Sequence, residues 1–168
     1  MPIIIGIHGK KHSGKTTATG IIREFLSTQS SSTRNVYEFA FADVLKDILC
    51  MLFGFSREYI EKNKETEIQS LGQKTIRDLM CLLGTFLRSI DEDILLHCVQ
   101  RKIEGPEGGF AENDFIIITD IRLDSEADFV RQRLKGLIIK IDATTRLCGT
   151  IVAADDVTEQ GISDKYVD

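Results

Sequence analysis

A continuous apolar run, Ile3–Ile7, leads straight into Gly9-Lys10-Lys11-His12-Ser13-Gly14-Lys15-Thr16. That octet leads into an apolar repeat at helical spacing, Ala18, Ile21, Ile22, Phe25 and Leu26. Few local patterns restrict a chain more. The run has three β-branched residues in succession and no polar alternation, so it reads as a strand buried on both faces, as in a parallel sheet. The octet fits GxxxxGK[ST] at every fixed position and stands between a strand and a helix, the context that gives the pattern meaning. Its glycines let the backbone wrap closely around an anion with N–H groups turned inward. The helix that follows, expected over about Lys15–Ser27, adds partial positive charge at its start.

The rest of the chain repeats the alternation of strand and helix. Strands are expected at Asn35–Phe39, at Phe115–Thr119 with its end at Asp120, and at Leu137–Ile141. Helices are expected at Ala42–Phe53, stopped by Gly54, in a short piece near Glu58–Asn63, from a Thr75 cap with Asp78 three residues on to about Arg88, at Asp91–Ile103 and at Leu123–Leu134. Buried strands separated by helices imply an α/β protein with a mostly parallel sheet and helices on both faces. The polar stretch Ser27–Thr33 is too short to link domains. A single domain over residues 1–168 is expected, with a helical insertion at about 42–104 and a short lid-like segment at about 142–160.

With 168 residues, 42% of them hydrophobic, the chain can bury a substantial core. Its net charge of −5 disfavours a binder of nucleic-acid polymers, which draws most of its affinity from basic contacts to phosphate. No apolar run is long enough to span a bilayer, and the N-terminus lacks the layout of a signal peptide. A cytoplasmic protein is expected. Cys50, Cys81, Cys98 and Cys148 form no CxxC pair and read as reduced core residues.

The octet assigns roles. Lys15 can reach the β- and γ-phosphates of a nucleotide and Thr16 can offer a hydroxyl to Mg²⁺. Gly9, Lys11, His12, Ser13, Gly14, Lys15, Thr16 and Thr17 are the candidate ATP-binding residues. No Asp in the chain has Gly three positions later, and Asn63-Lys64-Glu65-Thr66 carries Thr where a GTPase base-reading motif needs Asp. A small kinase with a second phosphorylated ligand fits better. Asp120, at the C-terminal end of a buried strand, stands where open α/β sheets place ligand-contacting groups. Arg122 can grip phosphate oxygens with its planar fork. Asp120 as a plain helix cap, with Arg122 and Glu126 as an i,i+4 pair, is the competing structural account. Lys46, Arg77 and Arg88 supply further cations of the kind phosphoryl transfer needs, or are solvated surface charges. Gly84 in mid-helix costs about 1 kcal/mol relative to Ala, which points either to a ligand or to tight packing against it.

Taken together, Gly9–Thr16, Phe41–Lys46, the stretch from Arg77 through Gly84-Thr85 to Arg88, and Asp120-x-Arg122-x-x-x-Glu126 resemble the deoxynucleoside monophosphate kinases of the bacteriophage type. The resemblance implies a P-loop kinase three-layer sandwich and transfer of the γ-phosphoryl of ATP to a deoxynucleoside monophosphate, with Mg²⁺ required. It implies Lys15, Asp120 and Arg122 in catalysis, and Thr16 and Asp120 near the metal. It places Lys46, Arg77, Gly84, Thr85, Arg88, Arg122 and Glu126 around the monophosphate, and Arg146 on the ATP side as a lid arginine. Small-molecule nucleotides are the implied partners, with no membrane, and a homodimer is compatible with the pattern. Val44 and Cys81 depart from the family's usual residues, and Asp155–Gly161 echoes its Asp-x-x-Ser-Glu segment only loosely. Two alternatives stay open: another small P-loop kinase with a different phosphorylated acceptor, and a nucleotide-binding module without turnover.

Overall fold

A computed structural model of the chain describes residues 1–28, 34–104, 110–142 and 162–166. The chain divides into two compact units, one built from Met1–Ala40 with Lys102–Asp168 and the other from Phe41–Arg101.

The first unit is built on a four-stranded sheet of β1 (Ile3–His8), β2 (Val36–Phe39), β5 (Phe115–Ile121) and β6 (Leu137–Lys140) in the order β2-β5-β1-β6. Every pairing is parallel. The two central strands carry the apolar runs. Ile4, Ile7, Ile116, Ile117, Ile118 and Ile121 are all buried, which requires cover on both faces of the sheet. Helix α1 (Lys15–Thr28) follows β1. Helix α6 (Asp124–Asp128) follows β5 and widens into a π-turn at Phe129–Arg133, so the single helix expected at Leu123–Leu134 changes its winding halfway. Two glycines mark close approaches. A Cβ on Gly6 would collide with the Ile121 side chain, and one on Gly136 would lie 2.9 Å from Ile4.

The apolar stripe of α1 is turned from the expected phase. Ile21 and Phe25 are exposed, while Thr19 is buried and Ile22 and Leu26 are partly so. The helix grows directly out of the Gly9–Thr16 loop, so the loop rather than the stripe sets its rotation. Cys81 is also exposed, contrary to its reading as a core residue. Among the described residues Cys50, Cys81 and Cys98 form no disulfide, and Cys148 lies outside the described residues.

The second unit holds α2 (Asp43–Phe53), α3 (Arg57–Lys62), a short antiparallel ribbon of β3 (Glu67–Ile68) and β4 (Lys74–Thr75), α4 (Ile76–Ile90) and most of α5 (Ile94–Glu104). Gly54 ends α2 with φ 68°, the left-handed stop that glycine allows. Thr75 and Asp78 form a full capping box at the start of α4: the Thr75 hydroxyl accepts the Asp78 N–H, and Asp78 accepts the Thr75 N–H. Asp91 ends α4 instead of opening α5, so the second helix begins three residues later than expected. Leu49, Ile60 and Ile76 form the local core, with Ile68, Leu79, Met80 and Leu83 packed on it. The β3–β4 ribbon has no counterpart in the sequence reading, because two-residue strands are too short to show a period.

Candidate active site

The Gly9–Thr16 loop has the backbone its pattern demands. His12 (φ 63°) and Gly14 (φ 94°) lie in the left-handed region, which coils the loop and turns successive N–H groups to one side. Gly9 admits no side chain, since a Cβ there would lie 2.6 Å from Ser13 Oγ and 2.7 Å from the Ile141 carbonyl. The Ser13 N–H donates to the Lys10 carbonyl at 3.1 Å, and the Ala18 N–H to the Gly14 carbonyl at 2.9 Å. Lys15 folds back over the loop, its ammonium donating to the Gly9 carbonyl (2.5 Å) and the Lys10 carbonyl (2.7 Å). The Ser13 hydroxyl is buried and has no partner among the described residues. Such an atom costs free energy unless something satisfies it, and a phosphate oxygen in the loop would do so. Thr16 and Thr17 are exposed in the first turn of α1, His12 is exposed, and Lys11 is half-buried.

Asp120 and Arg122 lie at the end of β5, next to the end of β1. The two strands run in register from Ile3↔Phe115 to Gly6↔Ile118 and then slip, so that His8 pairs with Ile121. Thr119 and Asp120 thus stand opposite Ile7 alone. This is a bulge in β5, a device that re-aims side chains beside a site. Across it the buried His8 ring holds the Ile121 carbonyl, with Nδ1 at 2.9 Å. Burial lowers the His8 pKa below the ordinary histidine value. The hydrogen bond to Ile121 works against that shift, and the positive charges of Lys140, Lys15 and Arg122 add to it. The buried Glu126 carboxylate accepts the Arg122 N–H (2.8 Å) and the Leu123 N–H (3.1 Å), closing the turn into α6. Asp120 and Arg122 are half-buried.

The other proposed acceptor residues belong to the second unit. Lys46, on α2, contacts Glu61 at 2.8 Å and Asp43 at 3.3 Å. Burial disfavours its charge, but the Glu61 hydrogen bond and the neighbouring carboxylates outweigh that and raise its pKa. Arg77 pairs with Glu65 at 2.7 Å. Gly84 is buried on α4, and a Cβ there would stand 3.3 Å from the Arg88 guanidinium and 3.4 Å from Leu45. The gap therefore admits Arg88 and Leu45. Thr85 is exposed one residue along, and Arg88 is half-buried.

The structure thus brings Gly9–Thr17, Asp120 and Arg122 to the C-terminal edge of two adjacent parallel strands. It gives Glu126 main-chain partners at the start of α6. Arg146 and nearly all of the lid-like segment expected at about 142–160 lie outside the described residues. Sequence reasoning overlooked His8, although a polar residue at the end of a strand buried on both faces must find a partner, and that requirement was the available signal. It also overlooked Glu61 and Glu65, whose helical and loop setting gave no sign of the cations they meet. Among the described residues no three His, Cys, Asp or Glu side chains cluster as a metal site. The hydroxyl of Thr16 and the carboxylate of Asp120 are hard oxygen donors of the type Mg²⁺ takes alongside nucleotide phosphates, so the donor chemistry fits that ion.

An all-parallel sheet flanked by helices, with a GxxxxGK[ST] loop joining its first strand to its first helix, defines a P-loop kinase-like three-layer sandwich. No family model matches the chain. It is 30% identical over 151 residues, 83% of this chain and 74% of the relative, to an Acanthamoeba polyphaga mimivirus protein bearing the name "Putative deoxynucleotide monophosphate kinase". The chain belongs to that protein's family, the deoxynucleotide monophosphate kinase family. No helix of the described residues is long and apolar enough to cross a membrane.

Proposed function

We propose that the chain transfers the γ-phosphoryl group of ATP to a deoxynucleoside monophosphate, as the bacteriophage-type enzymes do. The acceptor's phosphate oxygen attacks the γ-phosphorus, the bond to the β,γ-bridging oxygen breaks, and ADP and the deoxynucleoside diphosphate leave. The observation that carries this reading is the Lys15 ammonium resting on the Gly9 and Lys10 carbonyls, in a loop whose buried Ser13 hydroxyl has no partner among the described residues. A phosphate chain in the loop would draw Lys15 onto its β- and γ-oxygens.

Mg²⁺, held with Thr16 and Asp120, would neutralise charge on the phosphates. Arg122 grips the acceptor phosphate. Within the unit over Phe41–Arg101, Lys46, Arg77, Gly84, Thr85 and Arg88 are the residues assigned to acceptor binding. In that role Lys46 and Arg77 exchange the Glu61 and Glu65 carboxylates for phosphate oxygens. The name of the mimivirus relative supports the choice of acceptor class.

The test is ADP release measured against a panel of deoxynucleoside and ribonucleoside monophosphates and unrelated phosphorylated acceptors. Release that depends on a deoxynucleoside monophosphate supports the reading. ATP binding without acceptor-dependent release identifies a non-catalytic module instead. Asp120→Asn should lower kcat far more than it weakens ATP binding, whereas a loss of thermal stability alone would make Asp120 a helix cap.

A further inference from the structure

His8 is a buried, titratable side chain that the phosphoryl-transfer chemistry does not use. It ends β1, immediately before Gly9, and it spans 113 residues of sequence to reach the Ile121 carbonyl. Ile121 lies between Asp120 and Arg122, just past the β5 bulge. Its side chain packs where a Gly6 Cβ would have to be, and its carbonyl faces the His8 ring. The same peptide group donates its N–H, that of Arg122, to the buried Glu126 carboxylate. One peptide plane is therefore held at both ends by buried side chains, and it is one of the two planes between Asp120 and Arg122, the residues proposed to meet metal and acceptor.

We propose that His8 is a positioning residue for phosphoryl transfer: through an Nδ1–H···O=C bond to Ile121 it locks the bulged end of β5, and so fixes where Asp120 and Arg122 stand relative to the loop that begins at Gly9.

The hydrogen bond dictates the tautomer. A carbonyl oxygen only accepts, so Nδ1 carries the proton and Nε2 of the neutral ring is left as an acceptor. Burial first, and then the positive charges of Lys140 from β6, Lys15 from α1 and Arg122 from the end of β5, lower the His8 pKa and oppose a positive charge on the ring. A neutral donor at this point orients the peptide without adding to the cations reserved for phosphate. Reaction geometry is sensitive to such placement, and a displacement of about 1 Å can cost about 100-fold in rate. His8 exerts its effect on kcat through the groups it holds, touching neither nucleotide.

The kinetic part of this inference rests on the phosphoryl-transfer reading, and one arm of the test does not. In the wild-type chain, long-range ¹H–¹⁵N spectra at pH 7 should show His8 as the Nδ1–H tautomer. An Nε2–H tautomer or an imidazolium overturns the proposal whatever the activity. His8→Asn keeps an N–H donor near the Nδ1 position, and His8→Leu fills the space without one. His8→Leu should lower kcat by about 10- to 100-fold with KM for ATP nearly unchanged, and His8→Asn should recover most of the loss. Wild-type kcat in His8→Leu, or equal losses in both variants that track their melting temperatures, overturns the proposal and makes His8 a packing residue. If His8→Leu fails to fold, the wild-type spectrum and His8→Asn still decide it, because a folded His8→Asn with kcat lowered by about 10-fold or more contradicts rescue and overturns the proposal. Absence of acceptor-dependent turnover in the wild type overturns the functional reading, whereas a wrong tautomer with turnover intact overturns the role of His8 alone.

Discussion

His8 and Glu126 grip opposite ends of one peptide group, His8 at the Ile121 carbonyl and Glu126 at the Arg122 N–H. Both side chains are buried, and they come from the two separate sequence segments that make up the first unit. Their partners are main-chain atoms, whose positions vary less than side-chain ones. The end of β5 is thereby defined by bonds from two side chains as well as by its ladders to β1 and β2. The consequence is a rigid corner beside a loop that is itself fixed by left-handed residues and by the close approach of Ser13 and Ile141 to Gly9.

Lys15→Ala should abolish most phosphoryl transfer in a protein that still folds. The Lys15 ammonium bonds the Gly9 and Lys10 carbonyls of the loop, so its contribution to stability is small, while its charge acts where the transition state gains negative charge. A loss of about 100- to 1,000-fold in kcat is expected, by analogy with other preorganised donors. Steady-state kinetics with a melting curve checks this. Turnover at the wild-type rate in the folded variant would remove the loop from the mechanism.

Arg122→Lys should raise KM for the monophosphate and lower kcat, leaving KM for ATP nearly unchanged, because lysine keeps the charge and loses the fork. Arg77→Lys should do the same more mildly. Glu65→Gln should have the opposite sign for the acceptor, since it neutralises the carboxylate that Arg77 meets at 2.7 Å. A two-substrate kinetic matrix reads all three. Changes confined to the ATP side would move these arginines to the donor site.

Gly6→Ala should destabilise the first unit by about 1–3 kcal/mol, the cost of forcing extra volume into a packed core. The new Cβ would meet Ile121 first and the Ile138 and Val130 side chains next. Because Ile121 is the residue His8 holds, Gly6→Ala should also lower kcat. Denaturant midpoints and activity measured on the same preparation would show both effects. A fully stable variant would mean that β5 can shift away from β1 freely.

Thr75→Ala should cost about 1 kcal/mol through loss of the α4 cap. The Thr75 N–H and hydroxyl both bond Asp78 and hold its pKa below the ordinary aspartate value. A depressed carboxylate contributes stability above its unfolded-state pKa and loses that contribution as the pH falls through the folded one. The difference between wild type and Asp78→Asn should therefore be present at neutral pH and shrink as the pH drops below about 4. Asp78 is exposed, so solvent and salt keep the effect small. Urea melts across that range provide the check, and a difference that grows with acidity would contradict the capping geometry.

Short-range patterns in the sequence were enough for much of this. The Gly9–Thr16 loop with its flanking strand and helix, the buried runs at Ile3–Ile7 and Phe115–Thr119, the left-handed stop at Gly54 and the Thr75–Asp78 box are all encoded within a few residues of themselves. Steric and hydrogen-bonding rules act there at fixed offsets. The remainder was decided by contacts between distant segments. The phase of α1 follows from its attachment to the loop, which left Ile21 and Phe25 exposed. The β5 bulge follows from how Ile121 meets Gly6 and His8, and no local period announces a one-residue slip. The Glu61 and Glu65 partners of Lys46 and Arg77 depend on where α3 and the following loop fold back. An amino-acid sequence states which groups need a partner, as His8 did at the end of its strand. Only tertiary packing, which sets register and brings residues 113 apart to within 2.9 Å, determines which partner each group finds.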